Sequence, residues 1–423
     1  LPPVDYPVIG LLPIALNALF PMIPMADIIS QYASDSIILV LSGMIITASW
    51  ECTGLNKRIA TAFLNLVGTS VRAQVMFWFL LSTALSTILP NLVVAATISP
   101  IAMSMLKYVG EGDIANSKAG SMVVMSVAWG AGLGGMATPI GSASNLVVIE
   151  YLEQVSGREY MYIDWVVRFA PIMLTLLVTC TVYVFLISPK NATLAGSKEY
   201  LAKVRADMGR MSRDEALCFT VFLVAVGLAF TRSLYAELLP GLAPAYSFAA
   251  CAIVLFLIPG KESKRIVNWK KVESEVDWGL LYMFGGALSL GNMLTGTGAD
   301  VAIGTLISNT GVSSTLGLVF IIVTFTLVMS DLTSNGATAS MCLPITMAIA
   351  TALGANATPL LYITAIGINL SFTMPTSIRA IPVGYGLKPS FMAKKGIVLS
   401  AIIIAEMTFL GWALIEFWPA FSL

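Results

Sequence analysis

A single arginine, Arg379, lies between two prolines in the stretch SFTMPTSIRAIPVGYG, residues 371–386. The chain has no Asp, Glu, Lys or Arg from residue 332 to residue 378. A cation at the centre of a bilayer costs roughly 2.5–3.5 kcal/mol on insertion scales, so it needs a cavity or a counter-charge. Arg379 therefore either pairs with Asp331, the nearest acidic residue upstream, or contacts a bound anion. Asp331 is also expected to accept hydrogen bonds from the backbone amides near residue 334.

Four short polar interruptions break otherwise apolar segments of the chain. They are Pro90-Asn91, Ser334-Asn335-Gly336, Thr138 to Asn145, and Thr373 to Pro382. Unpaired backbone groups at such breaks need protein, water or a ligand as partners, and helix N-termini favour an anion. A packing kink or a helix cap explains any one interruption alone. Four of them at related positions favour a polar binding site near the middle of the membrane.

The composition indicates the class of protein that carries these residues. The chain of 423 residues is 57% hydrophobic and 11% charged, and it contains no histidine. Many charge-free windows reach the ~20 residues that a spanning helix needs, and alternating strand patterns are absent. An all-α polytopic membrane protein is therefore predicted. The lack of histidine and of paired intramembrane aspartates argues against the alternative of an intramembrane enzyme, and against a resident metal or other cofactor.

Most basic residues fall in five stretches that alternate threading places on one membrane face. These stretches are 57–72, 107–118, 190–213, 261–271 and 388–395. The positive-inside rule makes that face cytoplasmic, so residues 190–214 and 261–277 are predicted to be cytoplasmic connections in the cell (inner) membrane. The windows 73–106 and 311–350 are too long for one span. Each is predicted to be a re-entrant helical hairpin, and the two hairpins open to opposite sides.

The two predicted hairpins are similar in sequence. STALSTILPNLVVAATISPIAMSM, residues 82–105, aligns without a gap with TLVMSDLTSNGATASMCLPITMAI, residues 326–349. The identical pairs are Ser86 with Ser330, Asn91 with Asn335, Ala95 with Ala339, Pro100 with Pro344, Ile101 with Ile345, and Met103 with Met347. An interrupted apolar helix follows each hairpin. Hairpins of opposite orientation predict an inverted repeat, which is typical of secondary transporters.

The repeat predicts how the chain is divided. The first repeat is predicted to have scaffold helices 1–72 and a transport domain 73–152, with hairpin 73–106 and broken helix 118–152. A spanning helix 153–190 and a linker 191–214 follow. The second repeat is predicted to have scaffold helices 215–310 and a transport domain 311–388, with hairpin 311–350 and broken helix 358–388, before a C-terminal helix 389–423. The second repeat has three apolar segments before its hairpin, whereas the first repeat has two. We therefore expect the natural protein to have a further helix before Leu1.

Nearly the whole chain resembles the divalent anion/sodium symporter family, the INDY-type carriers of di- and tricarboxylates. That family has Ser-Asn-Thr at each hairpin tip, and here the tips are Pro90-Asn91-Leu92 and Ser334-Asn335-Gly336. It also has a Thr-Pro-Pro-Asn type sequence in each broken helix. This chain has Ser142-Ala143-Ser144-Asn145 in the first and Ile378-Arg379-Ala380-Ile381 in the second. The resemblance implies a homodimer whose transport domains move against a scaffold as an elevator.

The resemblance also implies a substrate and a site. The substrate would be a small dicarboxylate such as succinate, malate or 2-oxoglutarate, and the other partner would be membrane lipid rather than nucleic acid. The implied binding residues are Asn91, Gly141, Ser142, Ser144, Asn145, Ser334, Asn335, Gly336, Ser377 and Arg379.

In the family, sodium ions lie between each hairpin tip and its broken helix, and this chain has Arg379 at the second of these places. Since a guanidinium keeps its proton, Arg379 would replace a sodium ion permanently, and the expected function is anion exchange. The alternative is a sodium-coupled symporter that keeps one cation site at Ser86, Asn91 and Gly141.

Overall fold

The computed structural model describes residues 5–63, 68–260, 265–299 and 314–422. Every element longer than an isolated bridge in these ranges is a helix, which confirms the predicted all-α class. The described helical stretches that are long and apolar enough to cross a membrane are Met25–Thr53, Asn91–Tyr108, Tyr162–Ile187, Thr315–Leu332, Asn335–Leu353 and Pro389–Phe417. Shorter apolar helices are Val71–Ser86, Pro244–Leu257 and Ala357–Asn369.

The charge-free stretch at residues 6–26, the first of the two apolar segments before the first hairpin, is not one helix. It contains the short helices Tyr6–Gly10 and Leu12–Leu19, followed by Met25–Ile29. Pro13 stands at the start of the second helix, and Pro21 and Pro24 follow its end. Proline starts or interrupts a helix because it lacks an amide donor and restricts the preceding turn. The N-terminal segment packs against the helix Trp278–Thr297.

The other helices of the predicted scaffold regions pack as one group. They are Asp35–Thr53, Leu55–Thr61, Arg213–Phe230, Arg232–Tyr235, Pro244–Leu257, Trp269–Glu275 and Trp278–Thr297. Asp35–Thr53 contacts both Arg213–Phe230 and Pro244–Leu257. The long helix Tyr162–Ile187 and the short helix Ser197–Asp207 lie between the two halves of the sequence. The predicted boundary at 310/311 and part of the predicted connection 261–277 lie outside the described residues.

Each predicted hairpin is a pair of helices joined by a short turn. The first pair is Val71–Ser86 and Asn91–Tyr108, and the second pair is Thr315–Leu332 and Asn335–Leu353. The two turns start their second helices differently. Ser334 caps its helix by accepting a hydrogen bond from the amide of Ala337 at 3.2 Å, whereas Pro90 at the corresponding position provides no side-chain cap.

Each predicted broken helix consists of two helical pieces with an irregular segment between them. The first has Lys118–Gly134 and Ala143–Ser156 with a 3₁₀ turn at Pro139–Gly141, and the second has Ala357–Asn369 and Ala380–Gly384 with a 3₁₀ turn at Ser377–Arg379. Their leading pieces form the centre of the protein, because every residue from 119 to 134 and from 358 to 369 is buried. Val71–Ser86 packs on the first leading piece, and Thr315–Leu332 packs on the second.

Candidate functional site

Each hairpin turn meets the break of the helix that follows it in the sequence. We call these places the first joint, residues 86–91 with 135–145, and the second joint, residues 330–335 with 370–379. In the first joint, Thr138 Oγ1 donates to the carbonyl of Thr87 at 2.6 Å. In the second, Thr376 Oγ1 donates to the carbonyl of Asp331 at 3.1 Å. The same type of hydrogen bond therefore closes both joints.

Arg379 is the central residue of the second joint and is only 1% exposed. Its guanidinium donates to four oxygens: the carbonyls of Ser330 at 3.2 Å, Ser371 at 3.3 Å and Met374 at 3.3 Å, and Thr376 Oγ1 at 2.9 Å. Such breaks leave backbone carbonyls without helical donors, and a cation surrounded by carbonyl oxygens satisfies them. Arg379 thus joins the hairpin turn to the break.

The ion pair between Asp331 and Arg379 that the sequence offered as one alternative is absent from the described residues. Asp331 Oδ1 instead accepts hydrogen bonds from the amides of Phe372 and Thr373, both at 2.9 Å. The expectation that this carboxylate binds amides is correct in kind but wrong in place, because the amides belong to the break and not to the hairpin tip. The break exposes amides that lack a helical acceptor.

Asn145 occupies the corresponding place in the first joint. Its Nδ2 donates to the carbonyls of Gly135 at 2.8 Å and Thr138 at 2.9 Å. Its Oδ1 accepts a hydrogen bond from Asn369 Nδ2 at 2.7 Å. Asn145 is fully buried. The first joint therefore satisfies its break carbonyls with a neutral amide, where the second joint uses a cation.

The hairpin tip lies directly against the break in the first joint. A Cβ added to Gly135 would lie 3.0 Å from Asn91 Nδ2, and one added to Gly141 would lie 2.7 Å from the Ser86 carbonyl. A larger residue at Gly141 would push the turn and the break apart because the atom that it meets belongs to the backbone, whereas one at Gly135 would displace the Asn91 side chain. The structure thus places Ser86, Asn91 and Gly141, the three residues predicted for a residual cation site, next to one another. Ser86 Oγ is buried and has no hydrogen-bond partner in the described ranges.

The two tip asparagines share an unusual property. Asn91 is 8% exposed and Asn335 is 6% exposed. Nδ2 of both residues, and Oδ1 of Asn335, have no hydrogen-bond partner within the described part of the chain. An unsatisfied buried polar group costs about 1–3 kcal/mol, so donors in this state indicate a partner such as water or a ligand. A side-chain amide group can donate to a carboxylate.

Other predicted site residues make internal contacts. Ser142 and Ser144 are both buried and are hydrogen-bonded to each other, with 2.8 Å between their hydroxyl oxygens. Ser377 is partly exposed, and its φ of 50° is in the left-handed region that glycine prefers. A non-glycine residue there costs roughly 1–2 kcal/mol. Ser142 and Ser144 thus satisfy each other's hydroxyls, and Ser377 contributes the left-handed backbone of the second break.

The second hairpin tip packs against the neighbouring helix Trp278–Thr297. A Cβ added to Gly336 would lie 2.6 Å from Leu280 Cδ1 and 3.0 Å from Met283 Cε. Ser334, as described above, caps the helix that Asn335 begins. Gly336 therefore allows close packing of the tip on that helix, and Asn335 is the tip residue with unused polar atoms.

The two halves of the chain pack across each other. Asn335–Leu353 packs against Ala143–Ser156, and Asn91–Tyr108 packs against Ser377–Arg379. The ring of Trp129 meets the ring of Phe372 edge-on at 5.5 Å. Each hairpin therefore contacts the broken helix of the other half as well as its own.

A cavity of about 630 Å³ lies beside the first joint, between Asp35–Thr53 and Asn91–Tyr108. Leu92, the neighbour of the tip residue Asn91, lines it together with Asn56 and Thr97. Asn56 Nδ2 donates to Thr97 Oγ1 at 3.3 Å across this cavity. None of the predicted binding residues lines this cavity.

Asn369 is a polar residue of this centre that the sequence analysis did not predict. It is 1% exposed, ends the helix Ala357–Asn369, and connects the two broken helices through Asn145. Its signal in the sequence is weak. It is one amide at the last position of a long charge-free helix, immediately before the break.

An all-helical chain with spanning helices, two interrupted helices and a buried polar centre is the architecture of a membrane transporter. No cluster of potential metal ligands occurs among the residues the structure describes. The chain belongs to the CitMHS family, described as citrate transporters, which it matches over residues 2–367. It is therefore a multi-pass integral membrane transporter and not an enzyme, and its predicted relationship to the divalent anion transporters is confirmed.

Two relatives and one solved structure extend this result. The sodium-dependent dicarboxylate transporter SdcS of Staphylococcus saprophyticus is 28% identical over 431 residues, which cover 94% of this chain and 82% of the relative. SdcS of Staphylococcus aureus strain NCTC 8325 is 28% identical over 416 residues, covering 93% and 80%. The YdaH transporter of Alcanivorax borkumensis has a TM-score of 0.61 at 12% identity, covering 94% of this chain and 88% of YdaH. The likeness to YdaH concerns the fold.

Proposed function

We propose that this protein is a secondary transporter that carries small dicarboxylates together with sodium. The observation that carries the proposal is the pair of buried tip asparagines, Asn91 and Asn335, whose Nδ2 donors have no partner in the described ranges. Two amide donors at related positions suit a substrate with two carboxylates. The names of the SdcS relatives support both the dicarboxylate and the sodium dependence.

The charge balance of the second joint supports sodium coupling over the exchange expected from sequence. The exchange argument assumes that Arg379 leaves the empty carrier with an uncompensated charge. Asp331 lies in the same joint, where its carboxylate binds the amides of Phe372 and Thr373. The joint therefore has no net formal charge, so the empty carrier has no large electrostatic penalty for returning. The first joint, with Ser86, Asn91 and Gly141, would hold the coupled ion.

The proposal includes a mechanism of transport. The two hairpins and two broken helices form an inverted-repeat transport domain with re-entrant hairpins, and the helices around Asp35–Thr53 form the scaffold. The equivalent hydrogen bonds of Thr138 and Thr376 support a repeat relationship. The transport domain moves as an elevator within a homodimer, carrying both joints as one body.

Uptake of radiolabelled succinate into proteoliposomes tests this proposal. Empty vesicles with sodium outside should accumulate succinate, and vesicles in choline buffer should not. Vesicles of the same lipid without protein provide the background. Uptake that requires succinate inside the vesicles and ignores sodium would contradict sodium coupling.

Exchange is the second candidate, and the contacts of Arg379 favour it. The guanidinium donates to the carbonyls of Ser330, Ser371 and Met374, so it fills an oxygen-lined position as a bound cation would. Exchange predicts that efflux of preloaded succinate needs an external dicarboxylate, whatever the sodium concentration. Efflux that depends on sodium instead would exclude this candidate.

A further inference from the structure

Asn369 connects the two broken helices by a hydrogen bond between buried side chains. Its Nδ2 donates to Asn145 Oδ1 at 2.7 Å and to the carbonyl of Ala365 at 3.0 Å. Asn145 in turn donates through Nδ2 to the carbonyls of Gly135 and Thr138. Asn369 and Asn145 are 1% and 0% exposed, respectively. Water therefore does not compete freely for these contacts.

The acceptors in this network determine how both amides are oriented. A backbone carbonyl can only accept, so Asn369 must turn Nδ2 towards Ala365. The same amino group faces Asn145, which must therefore present Oδ1 to it. Asn145 Nδ2 then faces the carbonyls of Gly135 and Thr138, which also only accept. The side-chain hydrogen bonds of the network therefore all run in one direction: Asn369 donates to Asn145, and Asn145 donates to the carbonyls of Gly135 and Thr138.

We propose that Asn369 is a positioning residue that sets the cation affinity of the first joint, a role that rests on the proposed sodium coupling. By holding Asn145 in this orientation, it keeps an amide donor on the carbonyls of Gly135 and Thr138. With the amide inverted, Asn145 Oδ1 would take the place of Nδ2 and point towards those two carbonyl oxygens. Three oxygens would then converge, and oxygen is the ligand that hard cations prefer. Asn369 thus weakens cation binding in the first joint, because it keeps the Asn145 amide oxygen turned away from the two carbonyls.

The first variant is Asn369→Leu, which keeps the size of the side chain and removes its donor. Asn145 is then free to invert when sodium arrives. The half-saturating sodium concentration for succinate uptake should fall about fivefold, the equivalent of one neutral hydrogen bond. At saturating sodium, the half-saturating succinate concentration should stay the same, because the linkage between the two ligands is then satisfied in both proteins. The sodium-dependent rise in melting temperature of the detergent-solubilised protein should also begin at lower sodium, and this measurement needs no transport.

A double-mutant cycle shows whether Asn369 acts through Asn145. In an Asn145→Ala background there is no amide to orient, so adding Asn369→Leu should leave the sodium dependence of melting and uptake unchanged. A further shift of about fivefold in that background would overturn the proposal.

Thr364→Val is the matched control. Thr364 lies in the same helix, is fully buried, and shares a hydrogen bond with Thr346, 2.8 Å between their hydroxyl oxygens. Its loss should lower the melting temperature as Asn369→Leu does, without changing the sodium dependence. Equal sodium shifts in both variants would overturn the proposal, because general loosening would then explain them.

Different results would contradict the proposed function and this inference. Wild-type uptake that ignores sodium defeats sodium coupling, and the melting experiment still reports on the amide. If sodium raises the melting temperature of Asn369→Leu no more than that of the wild type, the inference is wrong.

Discussion

The first and second joints have the same hydrogen bond between break and turn, but they satisfy their break carbonyls with different donors. Asn145 provides a neutral amide in the first joint, and Arg379 provides a guanidinium in the second. The aligned residues of the two turns also differ in charge. Thr87 of the first joint corresponds to Asp331 of the second. A cation and an anion are thus present together in one joint and absent together from the other.

This difference shows that one architecture can tolerate a buried charge when a second charge accompanies it. Arg379 and Asp331 do not bind each other directly. Each satisfies backbone groups that the break exposes, carbonyls in one case and amides in the other. Because each charge is held by several hydrogen bonds, neither is left without compensation in the interior.

The largest effect is expected from Arg379→Ala. It removes the donor of the Ser330 and Ser371 carbonyls and the cation that balances the charge of Asp331. Each unsatisfied buried acceptor costs about 1–3 kcal/mol. The melting temperature in detergent should fall sharply, and succinate uptake should be lost. Arg379→Lys should recover part of both, because charge is retained without the planar guanidinium.

Adding Asp331→Asn to Arg379→Ala separates charge balance from hydrogen bonding. The double variant should melt closer to the wild type, because asparagine still accepts the amides of Phe372 and Thr373. Recovery of uptake by high sodium in Arg379→Ala would support a cation-like role for the guanidinium. Full stability and uptake in Arg379→Ala would refute the importance given to this residue.

Asn91→Ala and Asn335→Ala should give the next largest effect. A hydrogen bond to a charged group contributes about 1.5–3 kcal/mol, so each variant should bind succinate roughly 10- to 150-fold more weakly. Isothermal titration calorimetry measures this directly. Similar losses in both would mean that the joints share the substrate equally. Wild-type affinity in either variant would remove that tip from the site.

Thr138→Val and Thr376→Val compare the bonds that close the two joints. Each removes a partly buried hydrogen bond between turn and break, worth about 1 kcal/mol of unfolding free energy. The second variant should cost more, because Thr376 Oγ1 also accepts from Arg379 at 2.9 Å. Thermal melting in detergent provides the comparison. Thr175→Val, at an exposed helix position that bonds only within its own helix, is the control and should be nearly neutral. Equal effects in the two joints would show that the contact with Arg379 adds nothing.

The smallest effect is expected from Ser142 and Ser144, whose hydroxyls bind each other. Replacing one by alanine should cost at most about 1 kcal/mol, and replacing both should be nearly neutral, since no polar group is left without a partner. Uptake should change little in either case. A large loss of succinate affinity in Ser142→Ala alone would place this hydroxyl in contact with the substrate.

The sequence predicted the helices and the tips because their signals are local. The charge-free window 73–106 corresponds to Val71–Ser86 and Asn91–Tyr108, and a proline before an amide marks the turn between them. Residues 6–26 also lack charge, but they form three short helices, because the length of a charge-free window does not reflect its prolines. Pro13, Pro21 and Pro24 were visible, and a rule that gave them more weight would have divided the segment.

The partners of Arg379 and the position of Asn369 could not be predicted in the same way. The guanidinium binds backbone carbonyls, and every residue type has a carbonyl, so no pattern of side chains marks Ser330, Ser371 or Met374 as acceptors. Asn369 contacts Asn145 across 224 positions of sequence. Such a contact depends on how the two halves pack.

The balance of Arg379 and Asp331 has a consequence for the response to membrane voltage. Moving one elementary charge through a potential of 100 mV changes the free energy by about 2.3 kcal/mol. If both residues travel together, the empty carrier moves no net charge and its return is insensitive to voltage. A bound dianion then makes inward movement against an inside-negative potential cost about 4.6 kcal/mol per 100 mV, unless cations travel with it. The number of accompanying sodium ions would then set the polarity of the current.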